Sequence, residues 1–241
     1  MSQRSVRINT VTVLGLDSCK GGWVAVAIDE TGYVDAFVAS SIGVAERTGR
    51  ERWAVATIVV DIPIGLPDSG PRLADVEARA FIRPRSSSVF STPVRPVLAA
   101  SSYDEARAAS IQATGGTSLS KQAWAICDRI RDVDDHVRSG ESHVRILEGH
   151  PEVSFRAMAG VPLLDYKKSI EGALHRRELL HGEGIELPRG IERDVKSAAL
   201  DDIHDAAAMA WTARRAERGE ERSMPDPPER FSDGFLSAIW Y

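Results

Sequence analysis

The sequence predicts an α/β fold built on a mixed sheet, and three observations carry that expectation. Residues 10–39 hold three apolar, β-branched runs separated by short turns, the pattern of an antiparallel meander. A helix-like segment then leads to another apolar run at 54–61, which implies a crossover into a parallel neighbour. The second half places one more strand-like run, 143–148, among alanine- and leucine-rich helical segments able to cover a sheet.

Residues 10–17 (TVTVLGLD) form a buried strand ending on a carboxylate, and SCKGG is a turn. Residues 23–29 and 33–39 are the next two strands, joined at Thr31-Gly32. Residues 41–52 form a helix, and 54–61 (AVATIVVD) a fourth strand that also ends on a carboxylate. Pro63 and Pro67 lack amide donors and stop it. A long irregular and helical insertion follows at about 68–141, within a single domain spanning 1–241. It contains helices at 71–82 and 103–114, a loop at 83–96, and its clearest helix at 120–138. There Ala123, Ile126, Ile130, Val133 and Val137 recur at steps of three and four, giving one apolar face. Residues 143–148 make the fifth strand. Helices follow at 151–159, with proline in the first turn, at 168–182 and at 201–219. Residues 223–228 (SMPDPP) are a loop, and the apolar end of 231–241 docks on the body.

A chain of 241 residues with 43% hydrophobic and 27% charged residues can build a core without staples. Cys19 and Cys127 are too few for a structural zinc site and fit reduced thiols in the cytoplasm. The start of the chain lacks the pattern of a secretory signal, and no stretch of about 18 uncharged apolar residues suggests a membrane span. The formal charge of −5 disfavours a protein that merely coats nucleic acid. Residues 71–96 run the other way, with Arg72, Arg79, Arg83, Arg85 and Arg95 against Asp75 and Glu77. An acidic protein with one basic segment fits an enzyme carrying a phosphate-facing patch, and equally an ordinary solvated surface.

Asp17 and Asp61 each end a strand, and Asp202 and Asp205 stand three apart in the first turns of the last long helix, on one face of it. If the two strands are parallel neighbours, their ends open into the crevice where such sheets bind ligands. Carboxylates crowded there repel one another and call for cations; magnesium, or manganese in its place, suits a site shared with substrate phosphates. Each acid also has a plainer reading as turn or helix-capping chemistry. Glu152, in the first turn of the 151–159 helix, is a further acid or simply a helix-dipole partner. His150 fits a structural hydrogen bond better than a ligand. For phosphate contact the candidates are Lys20, beside Gly21-Gly22, and Arg83, Arg85, Ser87 and Arg95 in the basic loop, with Lys121 and Lys168. The Lys20 turn is not a P-loop and reads more simply as a hairpin. No G-x-S-x-G elbow supports serine hydrolase chemistry.

Seven segments, in order along nearly the whole chain, resemble the family called domain of unknown function 429, described as nucleases of RNase H-like fold. They are GLDSCKGGW (15–23), VVDIPIGLP (59–67), RPRSSSVFSTP (83–93), SLSKQAWAI (118–126), GHPEVSF (149–155), YKKS (166–169) and DDIHDAAAMAWTA (201–213). The resemblance implies an RNase H-like mixed five-stranded sheet flanked by helices, with the helical insertion after the fourth strand. In that superfamily one aspartate lies on the first strand, one acid ends the fourth, and one or two acids sit on a late helix. The resemblance therefore implies that Asp17, Asp61, Asp202 and Asp205 hold the metal of a nuclease cutting DNA or RNA. Resolvases of the RuvC type, similar in the last helix, have glutamate where this chain has Asp61; Glu152 would then complete the ligand shell. Two other readings stay open: a nucleotide-binding protein or phosphotransferase of the same fold, and a non-catalytic nucleic-acid-binding protein. A homodimer is compatible with either.

Overall fold

A computed structural model describes residues 11–241. Strands β1 (Val13–Cys19), β2 (Gly22–Asp29) and β3 (Gly32–Ala39) form the antiparallel meander. Helix α1 (Ile42–Trp53) starts at Ser41, whose hydroxyl accepts the Val44 amide, and it leads into β4 (Thr57–Val60). Strand β4 lies parallel to β1, and β5 (Arg145–Glu148) lies parallel to β4, giving the order β3-β2-β1-β4-β5. The protein is thus a mixed α/β structure with a five-stranded sheet. Residue 10, at the start of the first expected strand, lies outside the described residues, as does the segment before it.

Alternation along the strands divides the core between two faces. Leu14 and Leu16 of β1, with Ile58 and Val60 of β4, pack towards α1 and α5 (Cys127–Ser139). Val13 and Val59 point the other way, into a second cluster with α6 (Pro151–Ala159), α7 (Ile170–Gly182) and α8 (Leu200–Glu217). Helix α8 presses unusually close to β1. A Cβ on Gly15 would stand 2.0 Å from both the Ala206 carbonyl oxygen and the Ala210 amide nitrogen. Glycine at 15 and the alanine run 206–208 therefore seat this helix directly on the sheet, two residues before Asp17.

Between β4 and β5 run α2 (Leu73–Phe81), two short 3-10 turns, α3 (Tyr103–Thr114), α4 (Lys121–Ala125) and α5. The single helix expected over 120–138 breaks at Ile126. The residues either side of the break, Ala123 and Cys127, pack with Val97 and Ala106, whereas Ile130 and Val133 further along join the core under the sheet. The loop expected at 223–228 is instead part of strand β6 (Ser223–Arg230), paired with β7 (Leu236–Trp240). Its prolines are tolerated because the ladder shifts register between Met224 and Glu229, so none of them has to donate to a neighbour. The apolar C-terminal end does dock: Ala238 and Ile239 are buried, and Trp240 bridges Gly149 beyond β5. Among the described residues no helix is long and apolar enough to cross a membrane.

Candidate active site

The parallel register sets the site. Leu16 pairs with Val60 and Val60 with Glu148, so Asp17 and Asp61 each stand one residue past a paired position, at neighbouring strand ends. The Asp61 amide donates to the Leu16 carbonyl at 3.0 Å. Alternation turns Asp17 and Asp61 to the side of Val59, the face that α8 covers. Close seating of α8 on Gly15 then brings Asp205 against them from above.

A cleft of about 270 Å3 opens at these strand ends. Asp17, Asp61, Asp201, Asp202, Lys167, Lys168 and His150 line it, and the segment 88–92 forms the facing wall. Asp205 is 2% exposed and lies below the cleft wall. Its Oδ2 accepts from Lys167 Nζ at 2.6 Å, while its buried Oδ1 has no hydrogen-bond partner among the described residues. The same ammonium stands 3.8 Å from Asp201, and Lys168 stands 3.4 Å from Asp201. Asp17 accepts the Ser18 amide at 2.7 Å. Asp202 accepts the Ala199 amide at 2.9 Å, closing the first turn of α8, so one of its oxygens is committed to the helix.

Electrostatics show that these acids form one cluster. Burial pushes the Asp17 carboxyl well above the usual carboxylate range, and the charges of Asp205 and Asp61 push it further. Burial raises Asp61 too, with His150 and Lys167 pulling against it. Asp205 is raised to about 7, chiefly by burial, despite the Lys167 ammonium. Burial also lifts the half-exposed Asp202. The Cys19 thiol, alongside, is pushed up to about 11 by burial and by Asp202 and Asp17, so it stays protonated and is no nucleophile at neutral pH.

Other expected residues lie elsewhere. Glu152 is buried beneath the cluster and its charge acts on Asp61 and Asp205, but its Oε1 is taken by Arg176 at 2.6 Å. Arg95 is held by both oxygens of Asp134, at 2.6 and 2.9 Å, and by Asp233 at 2.6 Å; it ties α5 to the C-terminal hairpin and has no free face for phosphate. Arg85 donates to the Leu164 carbonyl and lies over the Tyr166 ring. Lys20, Arg83 and Lys121 are exposed and outside the cleft wall; the Lys20 turn is a tight hairpin with Gly21 and Gly22 at positive φ. Ser87 lines a neighbouring cavity, and Ser88 is the serine that faces the cleft. Of the candidate phosphate contacts only Lys168 stands beside the acids. His150 contacts the Ser88 carbonyl at 3.3 Å.

Sequence reasoning passes over Lys167, one residue before the chosen lysine of YKKS, because only the fold shows which of two adjacent side chains turns inward. It also passes over Glu148. That signal was present: β5 ends on a carboxylate just as the runs ending at Asp17 and Asp61 do. Glu148 is taken by a buried arginine, Arg72, whose Nη1 and Nη2 reach its two oxygens at 2.8 and 2.6 Å, and which also grips Asp75 at 2.7 Å.

Among the described residues no three acid, histidine or cysteine side chains form a ready-made metal cage. Magnesium does not require one, since it commonly takes one or two carboxylates and fills its octahedron with water and substrate oxygens. An unpaired buried carboxylate oxygen on Asp205, beside two further acids with too few cations, fits such an ion.

Fold and site together define an α/β protein with an acidic cleft at the carboxyl ends of its parallel strands. The chain belongs to the family described as protein of unknown function (DUF429), whose model matches residues 15–230. No curated protein and no solved structure matches it.

Proposed function

We propose that the protein is a metal-dependent nuclease of RNase H-like fold that hydrolyses phosphodiester bonds of nucleic acid. The observation that carries this reading is the convergence of Asp17, Asp61 and Asp205, from β1, the end of β4 and α8, into one electrostatic cluster with a single close ammonium. The placement of these acids on the first strand, after the fourth and on a late helix supports the finer fold assignment. Two free thiols, Cys19 and Cys127, are compatible with a reducing cytoplasm.

Asp17, Asp61 and Asp205 would hold magnesium or manganese, with Asp202 and Glu152 adding negative charge around them. When bound, such an ion polarises the phosphodiester and makes a water nucleophilic at neutral pH. The chain's own residues do the rest. Lys168, exposed on the rim, attracts and orients the phosphate. Lys167 holds Asp205 in place and balances part of the buried charge. Burial of the acids excludes bulk water and strengthens every charge interaction inside the cleft.

The test is cleavage of labelled DNA and RNA oligonucleotides in magnesium and in manganese. Asp17→Asn should cut at least about a hundredfold more slowly, about 2.7 kcal/mol of barrier, while melting as cooperatively as the parent. Magnesium should raise the melting temperature of the parent at pH 8 and raise that of Asp17→Asn less. Equal cleavage by parent and variant would dismiss the assignment.

A further inference from the structure

We infer that the protein takes its substrate as a single strand, and that a cavity next to the acidic cleft holds the nucleobase flanking the scissile phosphate. This rests on the nuclease reading for the identity of the neighbouring site, but it is carried by different residues. The second cavity, about 470 Å3, shares the wall Val89-Phe90-Ser91-Thr92 with the cleft, so the two spaces adjoin along one strip of chain. Its volume lies within the range of small-molecule sites.

The two spaces differ in chemistry. The cleft wall carries six acids, two lysines, Arg72 and His150 among apolar side chains, whereas among the described residues the second cavity has no acidic side chain in its wall. Its one cation, Arg79, is tied down: Nε donates to the Val89 carbonyl at 3.1 Å and Nη2 to Ser91 Oγ at 2.9 Å. What remains is apolar surface with hydroxyls and one amide. Gln122, exposed in that wall, makes no hydrogen bond among the described residues. Such a lining suits a flat, neutral, hydrogen-bonding heterocycle rather than a second phosphate.

Phe90 stands on the shared wall with 45% of its surface exposed. A ring there offers a stacking platform at the point where a strand would pass from cleft to cavity, and such platforms are how single strands are gripped without regard to sequence. The strip carrying it is anchored at Thr92. The Thr92 amide and hydroxyl donate to Asp75 at 2.8 and 3.1 Å, which fastens the strip to the buried Arg72 cluster. A base in a duplex cannot reach the cavity without leaving the stack, at a cost of a few kcal/mol; an unpaired base enters freely.

The experiment measures binding separately from cleavage. Fluorescence anisotropy on the full chain would use a labelled 12-nucleotide single strand, the same sequence as a blunt duplex, and a strand abasic at its central four positions, with cleavage followed in parallel. Asp17→Asn in magnesium serves as the slow-cutting background. The single strand should bind at least about tenfold tighter than the duplex, and tighter than the abasic strand. On that background Phe90→Ala should weaken single-strand binding about tenfold and leave the abasic strand unchanged. Phe90→Trp should retain binding where Phe90→Leu does not. Because Phe90 is exposed, all three variants should melt like their parent. Equal affinity for single strand and duplex, or indifference to Phe90→Ala, overturns the inference even if the protein cuts. Stacking-dependent binding without any cleavage upholds the pocket and removes the nuclease reading instead.

Discussion

Arg72, Asp75 and Glu148 form one buried cluster of charge in the cleft wall, and Asp17, Asp61 and Asp205 form another a short way along the same strand ends. In the first, one guanidinium meets two carboxylates with hydrogen bonds of 2.6 to 3.1 Å; the one oxygen it does not reach, Asp75 Oδ2, accepts the Thr92 amide, while Glu148 Oε2 also accepts the Ile64 amide and Asp75 Oδ1 the Thr92 hydroxyl. In the second, one ammonium reaches one oxygen of Asp205 and leaves the other bare. Both clusters carry the cost of desolvation, and burial still raises the Glu148 carboxyl despite Arg72, but in the first every carboxylate oxygen has a hydrogen-bond donor. A buried cluster that satisfies itself is architecture; one left short of positive charge is poised to receive it from outside. Here the satisfied cluster holds the strip 89–92 that faces the unsatisfied one.

Breaking the first cluster should therefore hurt far more than neutralising the second. Arg72→Leu leaves two carboxylates buried without their cation and should cost about 3–5 kcal/mol of unfolding free energy. Asp205→Asn removes a charge that Lys167 balances only in part and that Asp17 and Asp61 oppose, so in metal-free buffer at pH 8 it should cost little or be stabilising. Urea denaturation of both variants with a chelator present decides the matter. A loss for Asp205→Asn as large as that for Arg72→Leu would mean the two clusters are the same kind of object.

Gly15→Ala attacks the second cluster from its support. An added methyl group meets backbone on α8 at 2.0 Å, and backbone cannot turn aside as a side-chain tip can. The helix must lift away from β1, at a cost of about 1–3 kcal/mol or more, and carry Asp205 away from Asp17. Stability and manganese affinity should fall together; loss of stability with unchanged affinity would show that the cluster does not depend on the seating of α8.

The pH dependence of stability tests the protonation of the second cluster. The Asp205 carboxyl, about 7 when folded against an ordinary 3.8, keeps a proton between about pH 4 and 7 that the unfolded chain has lost. Its contribution to stability therefore falls as pH rises through that window and levels off above it. His204 works in the opposite direction. Burial and the charges of Arg177 and Arg176 lower its folded value to about 4 from 6.5, so stability rises with pH between about 4 and 6.5. The parent's profile sums these two with the contributions of Asp17, Asp61, Asp202 and Glu148, which burial raises in the same direction as Asp205. In chelator, Asp205→Asn should remove its share of the falling component and shift the slope of the profile between pH 4 and 7 upward. An unchanged slope would mean that Asp205 is not protonated in the metal-free fold.

Much of this arrangement was legible in the residues. Runs ending on Asp17 and Asp61 declared their strands through β-branched composition and declared their ends through a polar stop, and the helix length between them implied the crossover. The spacing of Asp202 and Asp205 placed both on one helical face. What could not be read was which acid a neighbour would claim. Asp202 spends an oxygen on the Ala199 amide, Glu152 is taken by Arg176, and Arg95 is surrounded by Asp134 and Asp233; each partner except Ala199 is more than twenty residues away. Long-range pairing of charge leaves no local periodicity. The same holds for β6, where prolines at 225, 227 and 228 signal a loop unless the register shift that excuses them is known.

Asp202 supplies the smallest effect and the finest discrimination, because its carboxylate has two uses that can be removed separately. As part of the α8 cap it accepts the Ala199 amide, and Asp202→Ala should cost about 1 kcal/mol for that loss. Asparagine keeps an oxygen able to accept the same bond but carries no charge, so Asp202→Asn should hold most of the stability. If the residue also lends charge to the cleft, as its place in the wall implies, Asp202→Asn should bind manganese several-fold more weakly than the parent while melting close to it. Calorimetric titration beside thermal melts gives both numbers from one preparation. An asparagine variant indistinguishable from the parent in both would assign Asp202 to the helix alone and narrow the charged cluster to Asp17, Asp61 and Asp205.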